Sequence, residues 1–260
     1  KSGNKAVVIS GLDDIDSQEI VLMINELIKS DAFDIISPRL IYQGSNSSLL
    51  NTIDELRSGE ISGIITAGVN PGYSLPNAEE FLELVSKLEF SLCFSTKEDE
   101  TANSCKYLAA TPHYLESWGD YEFKSGHYYL SQPTIKPLFD TNQFQDIILT
   151  LSGSNNSFYD EIKTNWRTNI LKGKTWGKSL QDGFYYSYEN NALRRIKTTL
   201  NLDNLPIQNN DELDLILYTK IGLGDGQQSS NPWLQEFPDP VTRVTWDNYL
   251  TVSYKDAERL

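Results

Sequence analysis

Apolar positions in the first 110 residues alternate between two periods. Ala6-Val-Val-Ile-Ser10, Ile61 to Ala67 and Glu89 to Ser95 are short, nearly continuous apolar runs. Runs of this kind suit strands covered on both faces. Between them the spacing is helical. Ile20, Ile24, Leu27 and Ile28 share one face of a helix expected over Ser17–Lys29, with Asp16 as N-cap and Glu19 three residues on. Leu49, Leu50, Ile53 and Leu56 do the same over Ser48–Ser58, which stops at Gly59. Phe81, Leu82, Val85 and Leu88 follow in a helix capped by Asn77. Phe33–Ile36 and Leu40–Tyr42 are shorter extended candidates broken by Pro38. Strands alternating with helices of this length predict parallel β-α-β units, hence a mainly parallel sheet with helices on both faces.

Past Asp120 the texture changes. Tyr121, Phe123, Tyr128 and Tyr129 crowd together, Tyr128–Pro133 reads as a strand, and Pro133 and Pro137 punctuate. Ser152–Asn210 is polar but holds Trp166 and Trp176; it reads as an insertion packed on the sheet domain, with disorder at Gly153–Asn156. The pattern Trp176 to Gly183 should end in a turn. Leu215–Tyr218 reads as a strand and Gly222–Gly226 as a flexible loop. The expected division is 1–151, an α/β domain; 152–212, an insertion or linker; and 213–260, the truncated start of a further domain.

With 260 residues the chain suits one large or two smaller domains. A net charge of −14 argues against nucleic acid, whose phosphates need Lys and Arg, and against docking on anionic lipid. No run is long enough to span a bilayer, and Lys1-Ser-Gly-Asn-Lys5 is no signal peptide. A chain opening without Met is expected to be an excised piece. Its two cysteines, Cys93 and Cys105, cannot supply the four ligands of an iron–sulfur cluster. Cys93 sits in an apolar strand and should be buried and inert; a disulfide between the two stays open. His113 and His127 lack zinc-site spacing, and His113 reads as a turn residue. Asp13, Asp14 and Asp16 would repel a phosphate at the first helix and are better taken as caps. Glu98, Asp99 and Glu100 read as a solvated loop rather than a cation site. Gly222-Leu-Gly-Asp-Gly226 lacks the final glycine of a dinucleotide fingerprint. Tyr114, Leu115, Trp118 and Tyr121 form either a packed aromatic corner or an exposed partner patch.

The loop Ala67-Gly-Val-Asn-Pro-Gly72 follows a strand, where ligands gather in open α/β sheets. Gly68 and Gly72 tolerate φ > 0, Pro71 shapes the turn, and Asn70 offers donor and acceptor groups. This Gly-x-Asn-Pro loop, the Asp99-Glu-Thr-Ala102 loop after the next strand and the Glu116-Ser-Trp-Gly119 turn resemble, in that order, the third domain of the molybdopterin oxidoreductases. Together with His113–Asp120, the strings Asn231–Pro240 and Val244–Tyr249 resemble the molybdopterin-oxidoreductase-like/iron–sulfur large subunit of alternative complex III, a membrane quinol oxidase assembly. The resemblance implies a Rossmann-like sheet domain, a helix over Thr141–Leu151 on leaving it, and a C-terminal segment that begins a β-barrel domain, with Thr251–Ser253 as its first paired strand and Asp256-Ala257 in the helix that follows. It assigns Gly68, Asn70, Pro71, Asp99 and Thr101 to loops that hold a molybdopterin guanine dinucleotide in active relatives. It also implies Fe–S clusters elsewhere in the parent chain, partner subunits of a respiratory complex, and the periplasmic face of a bacterial inner membrane.

Departures from the active pattern point to a vestigial site. The family's Ala-Asp-Val-Val-Leu-Pro strand reads Cys105-Lys-Tyr-Leu-Ala-Ala-Thr-Pro112, and its Gly-Thr-x-x-Asn reads Gly119-Asp-Tyr-Glu-Phe123. Three acids flank one loop, with Lys97 and Lys106 the nearest cations. The crevice is therefore expected to be empty or filled by its own side chains, Tyr73 among them, with no cofactor and no catalytic residue in this chain. The resemblance with these departures implies a scaffold and interaction role in a membrane-bound, quinol-oxidising electron-transfer complex; two other readings stand beside it, a true molybdopterin oxidoreductase holding one pterin dinucleotide, and a stand-alone small-ligand module.

Overall fold

The computed structural model describes residues 2–12, 14–34, 37–41, 44–187, 215–224, 226 and 228–260. Its elements are α1 (Ile15–Leu27), α2 (Asn46–Ser58), β1 (Gly63–Ala67), α3 (Pro71–Ser74), α4 (Ala78–Lys87), β2 (Phe90–Ser95), α5 (Glu100–Ser104) and β3 (Tyr107–Ala110). These are followed by β4 (Gly119–Lys124), β5 (His127–Ser131), α6 (Phe144–Leu151), α7 (Phe158–Asn165), α8 (Trp176–Asp182), β6 (Phe184–Tyr186), α9 (Pro232–Glu236) and α10 (Tyr254–Arg259). The fold is mixed α/β in two compact units.

One unit comprises Asn46–Pro112, Phe139–Phe144 and Asp214–Leu260. It carries a three-stranded parallel sheet in the order β1-β2-β3. Gly63 pairs with Phe90 and Ala67 with Phe94 along β1, and Leu92 pairs with Tyr107 on the other side of β2. The core beside it is mostly aliphatic: Ile53 and Leu56 of α2 meet Phe81 and Val85 of α4, with Leu88 closing the cluster. Helical spacing places each pair on one face. Cys93 is fully buried on β2, and burial raises the pKa of its thiol. Both cysteines are free thiols.

The other unit comprises Lys1–Ser45, His113–Leu138 and Gln145–Leu213. Its sheet is antiparallel, in the order β4-β5-β6. Tyr121 stands opposite Tyr129, which stands opposite Phe184. On one side lies a core of Ile162, Trp166 and Ile170, the last two on a π-helical turn, Trp166–Ile170, that continues α7. The Trp166 Nε1–H donates to Asp120 Oδ2 (3.1 Å) and the Nε1–H of the partly buried Trp176 to the Tyr159 hydroxyl (3.2 Å), so both indoles keep a partner.

Several expectations need correction. Ala6–Ser10 joins no sheet among the described residues. It is extended, with Ile9 84 % exposed. A side chain replaces the neighbouring strand: Asn25 of α1 accepts from Val8 N–H and donates to Val8 C=O, both at 2.8 Å. The cap of α1 is Asp14, whose Oδ1 accepts from Ser17 N (2.7 Å), so Asp16 lies inside the first turn. Leu215–Tyr218 and Thr251–Ser253 carry no ladder, and no closed barrel is found among the described residues. Of the extended candidates before residue 45, Arg39 makes one isolated bridge to Lys124, while Ile35, Ile36 and Tyr42 lie outside the described residues. The helix beginning α6 starts three residues later than Thr141.

Candidate functional site

The two loops singled out in the sequence leave the carboxyl ends of neighbouring parallel strands, β1 and β2, and meet there. Gly68 turns the chain with φ +64°, a left-handed value that suits glycine, while its N–H donates to Phe94 C=O (3.0 Å). Pro71 occupies the first turn of α3, where a missing N–H costs nothing. Asn70 is the N-cap residue of α3, yet its side chain does not cap that helix.

It reaches across to α5 instead. Asn70 Oδ1 accepts from Thr101 Oγ1 (2.7 Å) and from Thr101 N (3.3 Å), and Asn70 Nδ2 donates to Glu100 Oε2 (2.7 Å). Thr101 is fully buried, and its hydroxyl oxygen also accepts from Gly72 N (2.9 Å). Gly72 N–H, Thr101 O–H and Asn70 C=O thus form a relay in which each donor has an acceptor. Gly72 must be glycine for spatial reasons: a Cβ there would stand 2.6 Å from Leu82 Cδ2 and 3.1 Å from Thr101 N and Oγ1.

The acids of the second loop have separate tasks. Asp99 caps α5, its Oδ1 accepting from Ala102 N (2.9 Å), and its Oδ2 accepts from Ser95 Oγ (3.3 Å). Glu100 is exposed, and the hydrogen bond from Asn70 holds its carboxyl below the usual glutamate range. Among the described residues no group of three metal-ligating side chains is found. The nearby cations are engaged: Lys97 Nζ donates to Ser230 Oγ (2.5 Å) and Lys106 Nζ to Glu89 C=O (3.1 Å). Tyr73 is half exposed, with its ring against Gly226.

All five sequence-assigned residues, Gly68, Asn70, Pro71, Asp99 and Thr101, therefore lie in this loop pair. Sequence reasoning missed Glu100 as Asn70's partner, and Ser95 and Ser230. Ser95, four residues before Asp99, could have been found from strand-end spacing; Ser230 carries no such signal. His113 lies elsewhere, capping the short turn Tyr114–Glu116. Trp118 is half-buried with its ring 4.6 Å from that of Tyr159, whereas Tyr114 is exposed.

No family model matches the chain. Over 88 residues, 32 % of the chain, it is 33 % identical to the menaquinone reductase, molybdopterin-binding-like subunit of Nitratidesulfovibrio vulgaris. The match spans 13 % of that relative's length. Acetylene hydratase from Pelobacter acetylenicus aligns with a TM-score of 0.43 and 15 % identity, covering 52 % of this chain and 20 % of that one.

Proposed function

We propose that this chain is a segment of a molybdopterin-oxidoreductase-like subunit whose pterin-facing loops have closed on each other. Its role is then structural: a scaffold within a membrane-bound, quinol-oxidising electron-transfer complex of the alternative complex III type, on the periplasmic face of the inner membrane. The 33 % identity to a molybdopterin-binding-like subunit supports the superfamily, and that relative's name, a menaquinone reductase, supports a quinone-linked setting.

The observation that carries the reading is the spent side chain of Asn70. Both ends of its amide are bonded within the protein, to Thr101 and to Glu100. A dinucleotide would bring two phosphates to a rim holding Glu98, Asp99 and Glu100, with Lys97 and Lys106 occupied elsewhere. Each like-charge contact near a surface costs on the order of 1–4 kcal/mol. The donor set fits an anionic dinucleotide poorly, and no catalytic step is assigned to this chain.

A second reading has one observation in its favour. The two loops meet at the carboxyl ends of parallel strands, which is where open α/β sheets bind ligands. In that case Asn70 would exchange Thr101 and Glu100 for a ligand, and the parent would be an active molybdopterin oxidoreductase. Metal and pterin analysis of the full-length parent, purified from its own membranes without chelators, separates the two. Substoichiometric molybdenum and co-purifying membrane subunits are expected; stoichiometric molybdenum with extractable pterin would establish the enzyme instead.

A further inference from the structure

The face of the antiparallel sheet turned away from Trp166 is built of aromatic rings. Tyr121 and Phe123 on β4, Tyr129 on β5, and Phe184 and Tyr186 on β6 form a connected series, with His127 at one end. Tyr121 and Phe123 are nearly parallel (6°) at 5.3 Å, Phe123 lies 5.8 Å from Tyr129, and Phe184 lies 4.8 Å from Tyr186. His127 sits 4.4 Å from Tyr186. The alternation of a strand explains the placement, since Tyr128, Leu130 and Tyr185 point the other way into the Trp166 core.

This is not a core. Tyr121, Phe123 and Phe184 are 45 %, 47 % and 39 % exposed. Gly119 holds Tyr121 down: a Cβ there would come within 2.7 Å of the Tyr121 hydroxyl and 3.0 Å of its ring. The ring can lie back along its own strand because residue 119 has no side chain.

We infer that this platform binds a neutral oligosaccharide by stacking sugar rings on Tyr121, Phe123 and Phe184. Two features select that ligand class. The lysines bordering the platform are already ion-paired, Lys124 with Asp34 and Lys174 with Asp182, both at 2.9 Å, so no free charge on either lysine awaits an ionic ligand. The exposed part of Tyr121, Phe123 and Phe184 amounts to roughly 200–330 Å², taking about 150–250 Å² for each whole side chain. A stable protein partner needs about 800 Å² on each side, whereas a few sugar rings need far less. Apolar sugar faces suit the rings, and the tyrosine hydroxyls supply hydrogen bonds at their edges. This surface belongs to a different unit from the Asn70 loops, so the inference stands independently of the proposed function.

Isothermal titration of the whole chain with cellohexaose, mannohexaose and N-acetylchitohexaose tests it. At least one should bind, and Phe123→Ala should weaken that binding about tenfold, the loss of one stacked ring. Tyr121→Phe should bind within about twofold of the wild type. Circular dichroism checks that the Phe123→Ala sheet is intact; should it fail, Phe184→Ala takes its place. The inference is overturned if none of the three sugars binds at millimolar concentration, or if binding ignores both ring deletions. It is equally overturned if sedimentation shows a dimer that Phe123→Ala dissolves, since the occupant would then be a second copy.

Discussion

The two cores of this molecule are assembled by different means. In the parallel-sheet unit, Ile53, Leu56, Phe81 and Val85 lie at helical spacing and meet in an apolar cluster that needs no side-chain hydrogen bond of its own. In the antiparallel unit, Trp166 is fully buried with its indole N–H paired to Asp120, 46 residues earlier. Trp176 similarly depends on Tyr159. An aliphatic core asks for volume; an aromatic, hydrogen-bonded one asks for volume and for a particular partner.

Truncation should separate them. Trp166→Ala removes the largest fully buried side chain and leaves Asp120 without that donor, an expected loss of about 3–5 kcal/mol in a urea melt. Val85→Ala, also fully buried, should cost about 2 kcal/mol, the transfer of two methyl groups plus a small cavity. Equal losses would show that the indole bond contributes little to the difference.

The junction of the candidate loops comes next in size. Gly72→Ala must displace Leu82 or Thr101 and should cost about 1–3 kcal/mol. Gly68→Ala, which meets no neighbour but keeps φ positive, should cost only about 1 kcal/mol. Reversal of that order would mean that the loops do not approach as described.

Glu100 gives the junction a pH signature. Its folded pKa is depressed by Asn70, so the associated stability is present above the unfolded glutamate value of about 4.3 and is lost as pH falls through the lower folded value. Because Glu100 is exposed the effect is small. Asn70→Ala should flatten stability against pH in that window while costing about 1–2 kcal/mol at neutral pH through the Thr101 bond. An unchanged acid limb would remove Asn70 as the cause.

The smallest expected effect concerns the thiols. Burial pushes Cys105 up to about 11 and raises Cys93 as well, so both are protonated at neutral pH. Iodoacetamide should label neither until the chain is unfolded, as followed by mass spectrometry.

How much of this was legible in the sequence follows the same division. The strands Gly63–Ala67 and Phe90–Ser95 and the helix Ala78–Lys87 lie where the apolar periods place them, because their burial is local to each element. The apolar run Ala6–Ser10 reads the same way, but its backbone partner is the side chain of Asn25, which no periodicity reveals. The strand read at Tyr128–Pro133 is β5, His127–Ser131, but its hairpin partner β4 is not read, although Ser125-Gly126 separates the two strands, with Gly126 at φ +76°. At the candidate site, residue types and order identified the two loops. That Asn70 would bond Thr101 rather than cap its own helix depends on how closely β1 and β2 bring the loops together.

Whether that loop pair is closed to a dinucleotide is the central question, and titrating GDP into the chain by calorimetry at low salt addresses it directly. With the Asn70 amide held by Thr101 and Glu100, no binding is expected up to about 1 mM. A dissociation constant of about 10 μM or tighter, weakened by Asn70→Ala, would contradict the account and show a working nucleotide site.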